Sequence, residues 1–128
     1  MKQAKKEDPS MVKIVNNSGS INISNEVFTN IAGDAATKCF GVRGMVGKAK
    51  ENGLYQLLRR ESMSKGVSVR FNEEDQTTSI ELHIAVNPGI NIAALAQSIM
   101  GEVSYKVSQA TGVAVREVDV YVDSMIVD

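Results

Sequence analysis

The sequence predicts an α+β fold, a two-layer α/β sandwich in which two helices cover one face of a mixed sheet. Two segments, at about residues 25–38 and 91–111, carry apolar residues at the 3.6-residue period of a helix. A strand at 20–23, a hairpin at 67–86 and a strand at 115–122 alternate apolar and polar residues, as half-buried strands do. The order is β-α-β-β-α-β, and both ferredoxin-like and KH-like arrangements satisfy it.

The chain has 128 residues, the length of one ordinary domain, and 43% of them are hydrophobic, which is enough for a core. Residues 1–10 are polar and charged, so we expect a flexible tail there and a single domain over 11–128. No secretory pattern and no apolar run of about 18 residues is found. The sequence therefore favours a cytoplasmic protein without direct membrane insertion.

The first helix follows two short extended pieces at residues 12–15 and 20–23, which a cluster of turn-forming residues separates. Ser24 or Asn25 is the predicted N-cap. The helix carries one apolar stripe, formed by Val27, Phe28, Ile31, Ala32, Ala35, Ala36 and Cys39. Because Cys39 lies on this stripe, we interpret it as a small buried hydrophobe rather than a reactive thiol.

Residues 41–65 are the least regular part of the sequence. Four glycines punctuate the segment, and residues 54–60 have the composition of two helical turns. A segment this long without regular structure is unusual inside a compact domain and is often functional. We therefore expect an irregular loop here and look to it for a binding surface.

The second half predicts a hairpin, a helix and a last strand. Strands at 67–71 and 79–86 flank a polar turn, and Asn91 caps a helix that ends before Gly112. Alternation also places Asp123 on the polar side of the last strand. The face of the sheet away from the helices is expected to carry Ser68, Arg70, Glu81, His83, Glu117, Asp119 and Tyr121.

The scarcity of cysteine and histidine excludes several kinds of site. With one Cys and one His, the chain by itself holds no Cys/His zinc site, disulfide framework or Cys-X-X-Cys motif. His83 has no catalytic partner that a sequence pattern identifies, so we interpret it as a surface histidine. We predict no metal, no cofactor and no enzymatic activity. An enzyme using His83 with Glu81 is an alternative, and it requires a deep pocket at that strand.

The glycines of residues 41–65 do not match a nucleotide-binding P-loop, because Gly41 and Gly47 are too far apart and Ala49 follows Lys48. Gly41 and Gly44 do form a Gly-x-x-Gly pattern, which KH domains place between two helices to clamp a nucleic-acid backbone. A KH-like module that binds single-stranded RNA through the Gly41–Gly44 loop is therefore the alternative function. It requires residues 45–60 to be helical.

The net charge of -1 argues against the long-range field of a non-specific nucleic-acid binder. Basic residues nevertheless gather at 43–65, and the aromatic and aliphatic residues among them favour a protein partner over nucleic acid. The residues predicted to bind a partner are Arg43, Met45, Tyr55, Leu58, Arg59 and Arg60.

Taken together, several segments resemble the alkaline shock protein family of Gram-positive bacteria, which are small envelope-stress-response proteins. The resemblance covers about residues 11–123. The segments that carry it are GSINISNEV at 19–27, Ile31-Ala32, Ala35-Ala36, Gly41-Val42, Met45, GVSV at 66–69, the strand ending at Val86, GINI at 89–92, Val103, Val107, Thr111-Gly112 and the strand at 115–122.

The resemblance implies a non-enzymatic cytoplasmic protein linked to envelope stress or homeostasis. It implies that a separate membrane-anchored partner holds some members at the membrane. Genes of some members neighbour a dihydroxyacetone-kinase-like fatty-acid kinase, which implies a link to lipid metabolism. No catalytic residues are transferred. With the composition, this predicts an adaptor or scaffold that binds another protein, and self-association stays open.

Overall fold

A computed structural model describes residues 10–48, 55–58 and 65–127, without the side chains of residues 48, 55 and 56. The strands and helices in chain order are β1 (Met11–Asn16), β2 (Gly19–Ser24), α1 (Asn25–Thr37), β3 (Val42–Lys48), β4 (Tyr55–Leu57), β5 (Val67–Asn72), β6 (Thr77–Val86), α2 (Ile92–Thr111) and β7 (Ala114–Met125). The predicted mixed α+β architecture is confirmed. Of the expected tail, the structure describes only Ser10, whose carbonyl oxygen accepts a 2.7 Å hydrogen bond from the Asn25 N–H.

Strand β6 is the centre of the main sheet. Along one edge it pairs antiparallel with β5 over Thr77 to Leu82 and then with β3 over Ile84 to Val86. Along the other edge it pairs parallel with β7 over its whole length. Strand β4 extends the sheet from β3, and β1 and β2 form a separate antiparallel hairpin.

The core lies between this sheet and the two helices, which pack against each other and against the sheet. Phe28 of α1, Ile99 of α2 and Leu82 of β6 are fully buried there, as the helical stripes and strand alternation predict. Val12 of β1 joins the same core and holds the N-terminal hairpin against it. Within the described residues no helix is long and apolar enough to span a membrane.

Both helices begin as the sequence predicts. The Ser24 hydroxyl accepts a hydrogen bond from the Glu26 N–H at 3.2 Å, and the Asn91 side-chain oxygen accepts one from the Ala94 N–H at 3.1 Å. Gly112 ends α2 in the left-handed conformation that glycine adopts at low cost. Cys39 packs at the edge of the core, and burial, with Glu102 nearby, raises the pKa of its thiol.

The prediction of an irregular loop at 41–65 is wrong over two described stretches. Residues 42–48 form β3, and residues 55–57, expected in helical turns, form β4. The glycines mark close packing: a Cβ on Gly47 would lie 2.7 Å from Cδ2 of Leu58, and one on Gly44 would lie 3.0 Å from Cδ1 of Leu57. Because glycine at these positions leaves room for neighbouring side chains, β3 lacks the alternation of apolar and polar residues by which a strand is recognised in a sequence.

The condition for the KH-like alternative is therefore not met. Gly44 lies inside β3, opposite Ala85 of β6, so the Gly41–Gly44 segment is not a loop between two helices. The described residues that follow, 45–48 and 55–57, are strands rather than a helix.

Candidate functional site

The face of the sheet away from the helices carries polar side chains from three adjacent strands. The register aligns Ser68 of β5 with Glu81 of β6 and Asp119 of β7, and it pairs His83 with Tyr121. The next row contains Arg70, Ser79 and Glu117. We call this set, with Asp123, the polar sheet face; the predicted grouping of seven side chains is confirmed.

His83 lies between two carboxylates on this face. Its Nδ1 is 2.7 Å from Oδ2 of Asp123, and its Nε2 is 3.1 Å from Oε2 of Glu81. The imidazole stacks on the Tyr121 ring, with centroids 4.8 Å apart and an interplanar angle of 12°. The His83 side chain is only 24% exposed, so it is more buried than the surface histidine that the sequence predicts.

The two carboxylates control the charge of the imidazole. Burial alone lowers the pKa of His83, but the hydrogen bonds to Glu81 and Asp123 and their negative charges outweigh burial, and the net pKa is raised. A carboxylate only accepts hydrogen bonds, so a protonated imidazole donates to both partners at once. The charge of Glu81 also raises the pKa of Tyr121.

Sequence reasoning missed the pairing of His83 with Asp123. Alternation places Asp123 on the polar side of its strand, but 40 residues separate the two. The parallel pairing of β6 with β7 brings them together, and a register shift next to Ala85 makes Asp123 the extra residue of an irregularity in β7. No local sequence pattern reports a parallel register.

The depression on this face beside Glu81 is smaller than a typical ligand pocket. This depression, lined by Ser68, Arg70, Ser79, Ile80, Glu81, Glu117 and Asp119, has a volume of about 160 Å³. Ligand pockets usually measure about 300 Å³ or more, so this depression is not the deep pocket that the enzyme alternative requires. Both ring nitrogens of His83 already contact a carboxylate.

The same arrangement does not form a metal site. Asp123 and Glu81 lie at opposite ends of the imidazole, so their oxygens do not converge with a ring nitrogen on one point. In the described part of the chain, no group of three or more His, Cys, Asp and Glu side chains is arranged to hold a metal ion.

Three of the six predicted partner-binding residues line one depression between the C-terminal end of α1 and β3. This depression, of about 340 Å³, is lined by Asp34, Thr37, Lys38, Arg43, Gly44, Met45 and Leu58. Arg43 is exposed and lies at a register shift between β3 and β6. Leu58 is half-buried, whereas Met45 is fully buried, so its side chain belongs to the core beneath the depression.

The other three predicted residues are not described in full. The backbone of Tyr55 belongs to β4, and its side chain lies outside the described residues, as do Arg59 and Arg60. These residues stay predictions.

Two exposed apolar side chains in the segments next to Arg43 were missed, one shortly before it in the chain and one on strand β4. Phe40, three residues before Arg43, is 94% exposed, and Leu57, which lies over Gly44 next to Arg43, is 45% exposed. Sequence patterns assign apolar residues to the core by default. The residues that follow α1 therefore gave no indication that Phe40 faces solvent. We call Phe40, Arg43, Leu57 and Leu58 the β3 surface.

Comparison with known proteins gives consistent matches along the chain. The model of the alkaline shock protein family, described as having a cell envelope-related function, matches residues 13–127. YloU of Bacillus subtilis (strain 168), named as uncharacterized, is 40% identical over 108 residues, which cover 84% of this chain and 88% of that protein. The uncharacterized Spy1614 of Streptococcus pyogenes serotype M6 is 32% identical over 115 residues, covering 89% and 93%.

Among solved structures, the copper form of the MamM CTD superposes with a TM-score of 0.47 and 18% identity, covering 80% of this chain and 87% of that one. Neither the family description nor the names of these two relatives state an enzymatic activity.

Proposed function

Because the chain belongs to the alkaline shock protein family, described by a cell envelope-related function, we propose that it is a non-enzymatic adaptor of the cell-envelope stress response. In this proposal it acts by binding another protein at the cytoplasmic face of the membrane, and a membrane-anchored partner holds it there. The small size of the depression beside Glu81, about 160 Å³, supports a binding role over a catalytic one.

The single observation that carries the proposal is the exposure of Phe40 on the β3 surface. An almost fully exposed phenylalanine keeps a large apolar area in water, and burying such a side chain gains about 2 kcal/mol. Phenylalanine and arginine are both enriched at protein–protein interfaces relative to the rest of the surface. Phe40 followed by Arg43, with Leu57 exposed over the adjacent Gly44, supports this surface as the partner contact.

The depression beside Arg43 gives this surface a concave part into which a partner side chain could fit. Its lining brings Lys38 and Arg43 together with Asp34, and Lys38 Nζ is 2.9 Å from Oδ2 of Asp34. We therefore expect a partner that inserts an apolar side chain near Leu58 and places an acidic group near Arg43. The basic residues Arg59 and Arg60 would extend the contact.

The test replaces Phe40 with a photo-crosslinking residue in the native cell, followed by separation of membrane and soluble fractions. We expect a crosslinked protein that is recovered with the membrane fraction. The double variant Phe40→Ser, Arg43→Glu should lose the interaction, and so should charge reversal at Arg59 and Arg60. A control, Tyr105→Ser with Lys106→Glu on α2, makes the same kind of change at an aromatic residue that is 58% exposed, and it should bind normally.

Two results would contradict the proposal. If the crosslinked protein were recovered only from the soluble fraction, the membrane location would be wrong. If the Phe40 and Arg43 variant bound as well as the control variant, the β3 surface would not be the contact.

A further inference from the structure

Strand β7 has one edge that no described strand covers. It is twelve residues long, Ala114–Met125, and in the described parts of the chain it pairs only with β6. Helix α2 packs against it on the core side of the sheet. The backbone N–H and C=O groups along the outer edge are therefore available to pair with another strand.

The centre of this edge is regular, and the only feature in it that limits pairing is the negative charge of Glu117 and Asp119, which a basic partner strand would neutralise. Register shifts next to Ser79 and Ala85 leave Arg116 and Asp123 as extra residues in β7, and between them residues 117–122 pair regularly with 79–84. This six-residue stretch contains no proline, glycine or lysine. Six residues is also the usual length of a strand, so the stretch suits one incoming strand.

The two sides of the stretch differ in chemistry. On the core side, Val118 is buried and Val120 and Val122 are partly buried against the core. On the other side, Glu117 and Asp119 belong to the polar sheet face. The adjacent β6 adds Glu81 to that face.

The charge on the polar side is predominantly negative. Glu81, Glu117, Asp119 and Asp123 face Arg70 and the imidazole of His83. Arg70 already lies 3.9 Å from Glu117, and His83 contacts both Glu81 and Asp123. A strand that pairs with β7 places alternate side chains on each side of the sheet, so basic groups suit the polar side and aliphatic groups suit the core side.

We propose that the outer edge of β7 at residues 117–122 binds an extended segment of a partner protein in which basic and aliphatic residues alternate, as an added strand of the sheet. This docking edge is distinct from the β3 surface, because β3 and β7 flank opposite edges of β6. The inference therefore goes beyond the proposed function and does not depend on it.

The test measures binding of short fluorescent peptides to the full chain by fluorescence anisotropy. The probe alternates Lys and Val, and it is compared with a Glu–Val peptide and with a peptide that carries Lys and Val in two blocks. We expect only the alternating Lys–Val peptide to bind well. On binding, amide hydrogen exchange should slow at residues 117–122.

Two further sets of molecules separate strand pairing from simple charge attraction. N-methylation of every second residue should abolish binding in one of its two frames, since only one set of peptide N–H groups faces β7. Asp119→Lys should weaken binding about tenfold through repulsion, and Asp119→Asn, a smaller change to the fold, should weaken it less. Glu102→Lys, the same charge change on the helix layer, should bind like the wild type.

Several outcomes would overturn the inference. The inference is wrong if the alternating Lys–Val peptide does not bind, or if the Glu–Val or block peptide binds equally well. It is also wrong if N-methylation weakens binding of the Lys–Val peptide in neither frame. Competition of the peptide with concentration-dependent dimers of this chain would show that the edge pairs with a second copy instead. The Phe40→Ser, Arg43→Glu variant should bind the peptide normally. If the peptide fails to bind the wild type, only the β7 inference is refuted, because the adaptor proposal is tested separately by crosslinking at Phe40.

Discussion

Gly66 and Gly101 are predicted to respond in opposite directions to the same substitution, alanine. Gly66 lies immediately before β5, close to Met45 and Val46 of β3 and to His83 of β6. Gly101 lies in α2 with nothing within 4 Å of a Cβ built on it. We expect Gly66→Ala to destabilise the fold and Gly101→Ala to stabilise it.

The distances determine the size of each effect. A Cβ on Gly66 would lie 2.9 Å from the carbonyl oxygen of Val46, 3.1 Å from Cβ of Met45 and 3.3 Å from the carbonyl oxygen of His83. Two of these atoms are backbone, and Met45 is fully buried, so relief requires a shift of β3 against β6. Overpacking of this kind costs about 2–3 kcal/mol of unfolding free energy. Alanine in place of an exposed helical glycine gains about 1 kcal/mol.

Urea denaturation followed by circular dichroism measures both changes, and thermal melts should move by about 10 °C downward for Gly66→Ala and a few degrees upward for Gly101→Ala. Gly101→Ala is the control for the general effect of removing a glycine. A Gly66→Ala protein as stable as the wild type would refute the close junction of β3, β5 and β6. Equal destabilisation by both substitutions would show that contact distance does not decide the result.

The other predictions concern the imidazole, the core and the thiol. Because the folded-state pKa of His83 is raised above its ordinary value of 6.5, its contribution to stability is complete below that value and is lost as the pH rises through the folded pKa. The difference in unfolding free energy between wild type and His83→Gln should therefore shrink with rising pH, and Asp123→Asn should lower the imidazole pKa in an NMR titration. Ile99→Ala, at a fully buried position, should cost about 2–5 kcal/mol, whereas Met100→Ala, partly exposed on the same helix, should cost less, as urea denaturation would show. Cys39 should react with a thiol reagent much more slowly in the native protein than in urea, since burial raises the pKa of its thiol.

Local patterns were sufficient for the elements whose side chains alternate or repeat without interruption. The hairpin of β5 and β6 and the helix α2 follow directly from periods of two and 3.6 residues. The polar sheet face was predictable for the same reason, because alternation along each strand determines which of its side chains lie on the same face of the sheet. His83 and Glu81 were thus placed correctly before any pairing was known.

The remaining features depend on contacts between segments far apart in the chain. Strand β3 was missed because Gly44 and Gly47 hold no side chain where Leu57 and Leu58 pack, which removes the alternation from the sequence. The contact of His83 with Asp123 was missed because it requires the parallel register of β6 with β7. In both cases tertiary pairing, and not local propensity, determines the structure.

The position of β6 keeps the two proposed binding sites apart. Its two long edges are occupied by β3 with β5 on one side and by β7 on the other. The β3 surface and the outer edge of β7 therefore lie on opposite sides of a central strand whose Leu82 and Ile84 are fully buried in the core. A partner on one edge does not compete for backbone groups with a partner on the other. Since a close-packed core resists deformation, we expect the two binding free energies to be nearly additive, which is the behaviour required of a protein that joins two others.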